Sequence, residues 1–126
     1  MKKVLVVDDH LSLRLLVATI LDNPDYEVLE ARDGHEALAL ALTHRPDLVL
    51  LDVMMPEMNG LEVCRTIKSD PRLAGTKVVM LTAKARPRDE GAGIAAGADA
   101  YLTKPFKPRE LQALVEQLLN PAYVER

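Results

Sequence analysis

Short, apolar, β-branched runs alternate with helix-period stretches along the whole chain, and this alternation constrains the fold more than any other feature. Val4-Leu5-Val6-Val7 is continuously apolar, as expected of a strand covered on both faces. Leu11, Leu15, Ala18 and Leu21 then recur at helical spacing, and Asn23-Pro24 stops that helix. Tyr26 to Glu30 reads as a second strand. Asp33 followed by Glu36 predicts a capping box, opening a helix over Ala37, Leu38, Ala41 and Leu42 that ends before Pro46. Leu48 to Leu51 is the third strand, and after the Asn59-Gly60 turn a helix carries Leu61, Cys64 and Ile67 on one face. Lys77 to Leu81 and Ala100 to Leu102 are the fourth and fifth strands. Between them a helix is predicted over Arg88 to Ala96, although Gly91 and Gly93 each cost it about 1 kcal/mol relative to Ala. The last helix starts around Pro108, buries Leu111, Leu114, Val115 and Leu118, and ends at Asn120-Pro121. Five strands and five helices in strict alternation predict an α/β fold, a doubly wound parallel sheet with helices on both faces. In such folds the working site lies outside the carboxyl ends of the strands.

At 126 residues the chain is the size of one domain, here residues 1–120, with 121–126 a tail or the start of a linker. A single Phe, three Tyr and no Trp require an aliphatic core. A net charge of −3 argues against nucleic-acid binding by this domain, because phosphate binding needs a basic face. No apolar run approaches the roughly 20 residues of a membrane span. The start, MKKVLVVDD, reaches paired aspartates too soon for a secretory leader, and the lone Cys64 cannot form an internal disulfide. Both features predict a cytoplasmic protein.

Polar residues stand where the predicted strands end. Asp8 and Asp9 follow the first, Asp52 the third, Thr82 the fourth, and Lys104-Pro105 the fifth. Singly, each has an ordinary reading: a turn or helix cap for the aspartates and Thr82, a solvated side chain for Lys104. Together they converge on one rim. Two carboxylates 4 Å apart repel by about 4 kcal/mol at an effective dielectric near 20. A fold has no structural reason to gather three unless a cation sits among them. Oxygen-only ligands with room for water favour Mg²⁺.

The segments VLVVDD, PDLVLLDVMMPEMNG, VVMLTA and GADAYLTKPF, in that order over residues 3 to 119, resemble a two-component receiver domain. The resemblance implies a flavodoxin-like (βα)5 fold with sheet order 2-1-3-4-5. It implies a signalling phosphoacceptor, not an enzyme, in which Asp52 takes a phosphoryl group from a phosphohistidine. The donor would be a sensor histidine kinase or a histidine phosphotransfer protein, and the modified state would change binding to a downstream target. It further implies Mg²⁺, with Mn²⁺ as an alternative, held by the carboxylates of Asp9 and Asp52, by Asp8 mainly through water, and by the Met54 backbone carbonyl. Lys104 would pair with Asp52 and then with a phosphoryl oxygen, and its bond to Pro105 would be cis. Thr82 would bind another phosphoryl oxygen while Tyr101 turns inward. Met54 and Lys84 would flank the path of the hydrolytic water.

Two rival readings share these residues. A phosphohydrolase of the haloacid dehalogenase type needs a second Asp two residues after its nucleophile, where this chain has Met54. A scaffold that has lost its chemistry would not keep Asp8, Asp9, Asp52, Thr82 and Lys104 together. His10, His35 and His44 show no metal-ligand spacing among themselves, so solvated or capping roles are expected, with His10 at the pocket mouth. Cys64 reads as a small core residue.

Overall fold

The computed structural model describes residues 1–55, 58–83 and 96–120. In chain order the elements are β1 (Lys2–Val7), α1 (Leu11–Ile20), β2 (Tyr26–Ala31), α2 (Gly34–His44), β3 (Leu48–Asp52) and α3 (Gly60–Ser69). A 3₁₀ turn (Pro71–Leu73), β4 (Lys77–Thr82), β5 (Ala100–Thr103) and α4 (Pro108–Leu119) complete them. The strands form one parallel sheet in the order β2-β1-β3-β4-β5, as the family resemblance implies. The helix predicted over 88–96 lies outside the described residues apart from Ala96, and so does the tail, 121–126.

Side chains alternate across a strand, so each apolar run feeds two cores. Leu5, Val7, Val49, Leu51, Val78 and Met80 pack toward α2 and α3, against Ala37, Ala41, Val63, Cys64 and Ile67. Their neighbours Val4, Val6, Leu48, Leu50, Val79 and Leu81 pack the other way, against Val17 and Leu21 at α1 and Leu111 and Val115 of α4. The core is aliphatic, as the composition requires. Cys64 is buried in it, and burial pushes its thiol up to about 11.

Helix starts follow the expected chemistry. Asp33 accepts from the Glu36 amide at 2.9 Å, while the Glu36 carboxylate reaches back to the Arg32 amide, one residue before the cap. Asn59 caps α3 by accepting from the Glu62 amide at 3.0 Å.

Both helices form where the spacing places them, but in each the buried face differs from the apolar stripe. In α1 the buried residues are Arg14 and Val17, followed by Leu21, whereas Leu11 and Leu15 are 57% and 52% exposed. The helix is turned because Arg14 faces inward. Its guanidinium donates to the Asp8 carbonyl at 2.7 Å and to Glu30 at 3.1 Å, leaving Leu11, Leu15 and Leu16 on the surface. In α2 the buried positions are Gly34, Ala37 and Ala41, and Leu42 is exposed. Small residues line that face because α2 lies close to α3: a Cβ on Gly34 would meet Val63 at 2.8 Å.

Candidate functional site

Parallel pairing delivers every strand's carboxyl end to the same rim, and backbone hydrogen bonds beyond the strands hold the site residues there. The Asp8 amide donates to Ala31, the Val53 amide to Leu81 at 3.1 Å, and the Lys104 amide to Thr82 at 2.7 Å. The start of α3 abuts the end of β3. Gly60 donates to the Val53 carbonyl at 3.0 Å, and a Cβ there would lie 2.2 Å from the Asp52 carbonyl oxygen. Only glycine permits that approach.

Asp8, Asp52 and Thr82 are buried, and Lys104 is mostly so. One ligand atom each from Asp8, Asp9, His10 and Asp52 lies within 4.8 Å of all the others. The Lys104 ammonium stands 2.9 Å from Asp8 Oδ2 and 3.5 Å from Asp52 Oδ1. It therefore serves both carboxylates, the expected partner Asp52 and, more closely, Asp8. The Lys104-Pro105 bond is cis. The Met54 amide donates to Asp52 Oδ1 at 3.1 Å, and the Met54 side chain is 77% exposed.

The two buried carboxyls are driven apart electrostatically. Burial alone would raise Asp8, but hydrogen bonds from the His10 amide and from Lys104, with the Lys104 charge, hold it below the usual carboxylate range. Burial pushes Asp52 above that range. The Lys104 charge offsets this in part, and the Asp8 charge adds to it. Asp8 is thus the fixed anion of the pair.

Thr82 and Tyr101 belong to the opposite side of the sheet. Tyr101, half-buried in β5, packs against the α2–α3 core and is the register partner of Met80. Thr82 lies two residues beyond Met80 and so on that same face. Asp8 and Asp52 follow the alternation of Val6 and Leu50 toward the α1–α4 side. The site straddles the sheet edge and draws on both cores. Lys84 lies outside the described residues.

His10 was undervalued in the sequence. Its Nδ1 lies 2.9 Å from Asp8 Oδ1 and 3.2 Å from Asp9 Oδ1. Although it is the N-cap residue of α1, its side chain makes no capping bond. The available signal was its adjacency to two aspartates at a strand end, not its spacing from the other histidines.

The pocket fits a divalent cation. Three carboxylates face one ammonium, leaving two negative charges in excess when all are ionised, and their oxygen donors gather within 4.8 Å of one another, as suits a hard cation.

A five-stranded 2-1-3-4-5 sheet with an acidic, lysine-bearing rim defines a class of signalling domain. The chain matches the family described as "Response regulator receiver domain" over residues 4–116, and it belongs to that family. It is accordingly a receiver domain of the two-component type, a signalling phosphoacceptor rather than a classical enzyme, and its acidic cluster is of the kind typical of receiver Mg²⁺ sites. It is 45% identical over 119 residues to the alkaline phosphatase synthesis transcriptional regulatory protein PhoP of Bacillus subtilis, covering 94% of this chain and 49% of that protein. The DNA-binding response regulator MtrA of Mycobacterium tuberculosis is 44% identical, with 94% and 51% covered. The chain thus spans about half the length of these curated relatives. Among solved structures, the chemotaxis protein CheY4 of Vibrio cholerae superposes with a TM-score of 0.89 at 39% identity, covering 94% of this chain and 99% of that one. A CheY-like receiver domain protein from Methanospirillum hungatei gives 0.88 at 31% identity, with 96% and 95% covered. Among the described residues no helix is long and apolar enough to cross a membrane.

Proposed function

We propose that Asp52 is the phosphoacceptor of a Mg²⁺-dependent switch and that a sensor histidine kinase or a histidine phosphotransfer protein is its donor. The observation that carries this reading is the convergence of Asp52 with Asp8, Asp9 and Lys104 at one rim. The Asp52 carboxylate attacks phosphorus, and the N–P bond of the donor breaks with its electron pair returning to the imidazole. Asp52 is left as an acyl phosphate. Phosphoryl transfer spreads negative charge over the equatorial oxygens, so the work is positioning and positive charge. A bound divalent cation supplies part of that charge, and Asp8, Asp9, Asp52 and the Met54 carbonyl would hold it. Lys104 supplies the rest, moving from its place between Asp8 and Asp52 onto a phosphoryl oxygen. Thr82 binds another of these oxygens, and Tyr101, on the same face of the sheet, takes up the space Thr82 leaves. The new charge and acceptors reorder the rim and alter binding to a downstream target. This chemistry suits a cytoplasmic domain, and Mn²⁺ can replace Mg²⁺ in it.

Acetyl phosphate with Mg²⁺ should add one phosphoryl group by intact mass, and Asp52→Asn should take up none. A labelled Asp52→Asn protein would overturn the assignment.

The phosphorylated state should be long-lived. Met54, on the open side of the pocket beside Asp52, is apolar and cannot activate water, and Lys84 cannot act as a base while protonated. The double variant Met54→Asn with Lys84→Glu should lose phosphate faster once the donor is removed. Unchanged or slower loss refutes this gating.

A further inference from the structure

We infer that His10 is a nitrogen ligand of the divalent cation and shifts the pocket's preference from Mg²⁺ toward transition ions such as Co²⁺, Ni²⁺ and Zn²⁺. The inference rests on the cation reading above and concerns one residue outside it.

The ring is aimed at the acidic centre. His10 is the N-cap residue of α1, yet its side chain caps nothing. Its own amide donates to Asp8 Oδ1 at 2.8 Å, which folds the turn back so that Nδ1 faces Asp8 and Asp9. Nδ1 is hydrogen-bonded to Asp8 Oδ1 at 2.9 Å and stands 3.2 Å from Asp9 Oδ1; its single possible hydrogen serves one of these oxygens, and a cation in place of that hydrogen would serve both. Adjacent ligands of an octahedral ion with bonds of about 2.1 Å lie roughly 3 Å apart, and opposite ligands roughly 4.2 Å. The two observed separations match adjacent vertices, and the 4.8 Å limit on the four-residue cluster admits the opposite ones. The imidazole is 69% exposed, so an incoming ion meets it from the solvent side without a core rearrangement.

The donor set then decides the metal. Asp8, Asp9 and Asp52 supply hard oxygens that suit Mg²⁺, which dehydrates reluctantly and gains little from an imidazole. A neutral imidazole suits Co²⁺, Ni²⁺ and Zn²⁺, whose affinity for mixed nitrogen and oxygen sites rises along the first transition row. A receiver with only oxygen ligands lacks this bias.

The test is calorimetric titration of the untagged protein with Mg²⁺, Co²⁺ and Ni²⁺, in the wild type and in His10→Ala. Because His10 is largely exposed and its amide survives the substitution, the variant keeps its fold, which circular dichroism checks. His10→Ala should weaken Co²⁺ and Ni²⁺ binding about ten-fold or more while Mg²⁺ changes less than about two-fold. Electron spin-echo measurements on the Cu²⁺-loaded protein, the ion at the top of that affinity series, should show a directly coordinated ¹⁴N that vanishes in His10→Ala. Equal changes for all three ions, or an absent nitrogen coupling in the wild type, overturn the role of His10 and leave the cation site standing. Failure of every ion to bind either protein overturns both.

Discussion

The two ends of the sheet use the same residue type to opposite effect. At the amino ends of the strands Asp47 and Asp99 are answered by donors. Asp47 accepts from the Lys3 amide at 2.8 Å, and Asp99 accepts from the Val78 amide at 2.8 Å and from Lys68 at 2.9 Å. Thr76 donates to the Pro46 carbonyl, and Tyr26 donates to Glu116, clasping α4 to the edge strand. At the carboxyl ends Asp8, Asp9 and Asp52 face one another and share Lys104 and His10. One rim is complete in itself. The other leaves its carboxylates outnumbering the cationic side chains that face them, the imbalance on which the proposed switch rests. A carboxylate at a strand terminus is therefore structural or reactive according to whether the chain supplies enough donors to match it.

The sharpest way to break this contrast is Gly60→Ala. Because the new Cβ meets the Asp52 backbone, not a flexible side chain, the variant should lose about 3 kcal/mol of stability. Thermal unfolding should show a melting temperature roughly 10 °C lower. A shift of a degree or two would mean that α3 can back away from β3 at little cost.

Next is Asp99→Ala at the complete rim. It strands the Val78 amide and removes the ion pair of Lys68, which keeps its bond to the Thr76 carbonyl, and should cost about 2 kcal/mol in denaturant unfolding. Its uptake of phosphate from acetyl phosphate should match the wild type. Impaired uptake would show that the two rims are coupled.

Asp9→Asn at the reactive rim should act in the opposite direction. Removing one of three facing carboxylates should stabilise the metal-free protein by about 1 kcal/mol and shrink the rise in melting temperature that Mg²⁺ produces. Equal Mg²⁺-induced shifts in variant and wild type would refute a charge-strained rim.

The smallest change in stability is expected for Leu15→Glu on the exposed face of α1, within about 0.5 kcal/mol of the wild type. It should slow phosphotransfer from the histidine kinase and leave acetyl phosphate labelling intact, since α1 begins one residue after His10. A kinase transfer rate unchanged from the wild type would place kinase docking elsewhere.

Strand positions and the acidic rim were legible because each buried run ends abruptly at a polar residue. Val4 to Val7 stops at Asp8, and Leu48 to Leu51 at Asp52, which closes β3 as its last residue. The face of α1 was not legible, since a search for apolar periodicity passes over Arg14. That residue earns its inward position through hydrogen bonds to the Asp8 carbonyl and Glu30, partners 6 and 16 residues away in sequence. The same limit hid the role of Gly60, which reads as a turn glycine until β3 is seen passing 2.2 Å from its missing Cβ. The 3₁₀ turn at Pro71–Leu73 also escaped, although Asp70 caps it by accepting from the Arg72 amide. The pocket-mouth place of His10 was legible from its neighbour Asp9, but its contacts with Asp8 and Asp9 were not, because spacing among the histidines carries no trace of them.

The two-residue alternation that divides each strand between two cores also governs how such a domain can change over time. Deleting one residue between Leu48 and Leu51 would turn the Asp52 side chain to the other face of the sheet and rotate the rest of β3 with it. The same deletion in β1 would do this to Asp8. Substitutions can be sampled one at a time along these strands, but changes of length cannot. Lineages of this domain should therefore accumulate insertions and deletions in the connections at the amino-end rim, and keep β1 and β3 at fixed length however far their sequences drift.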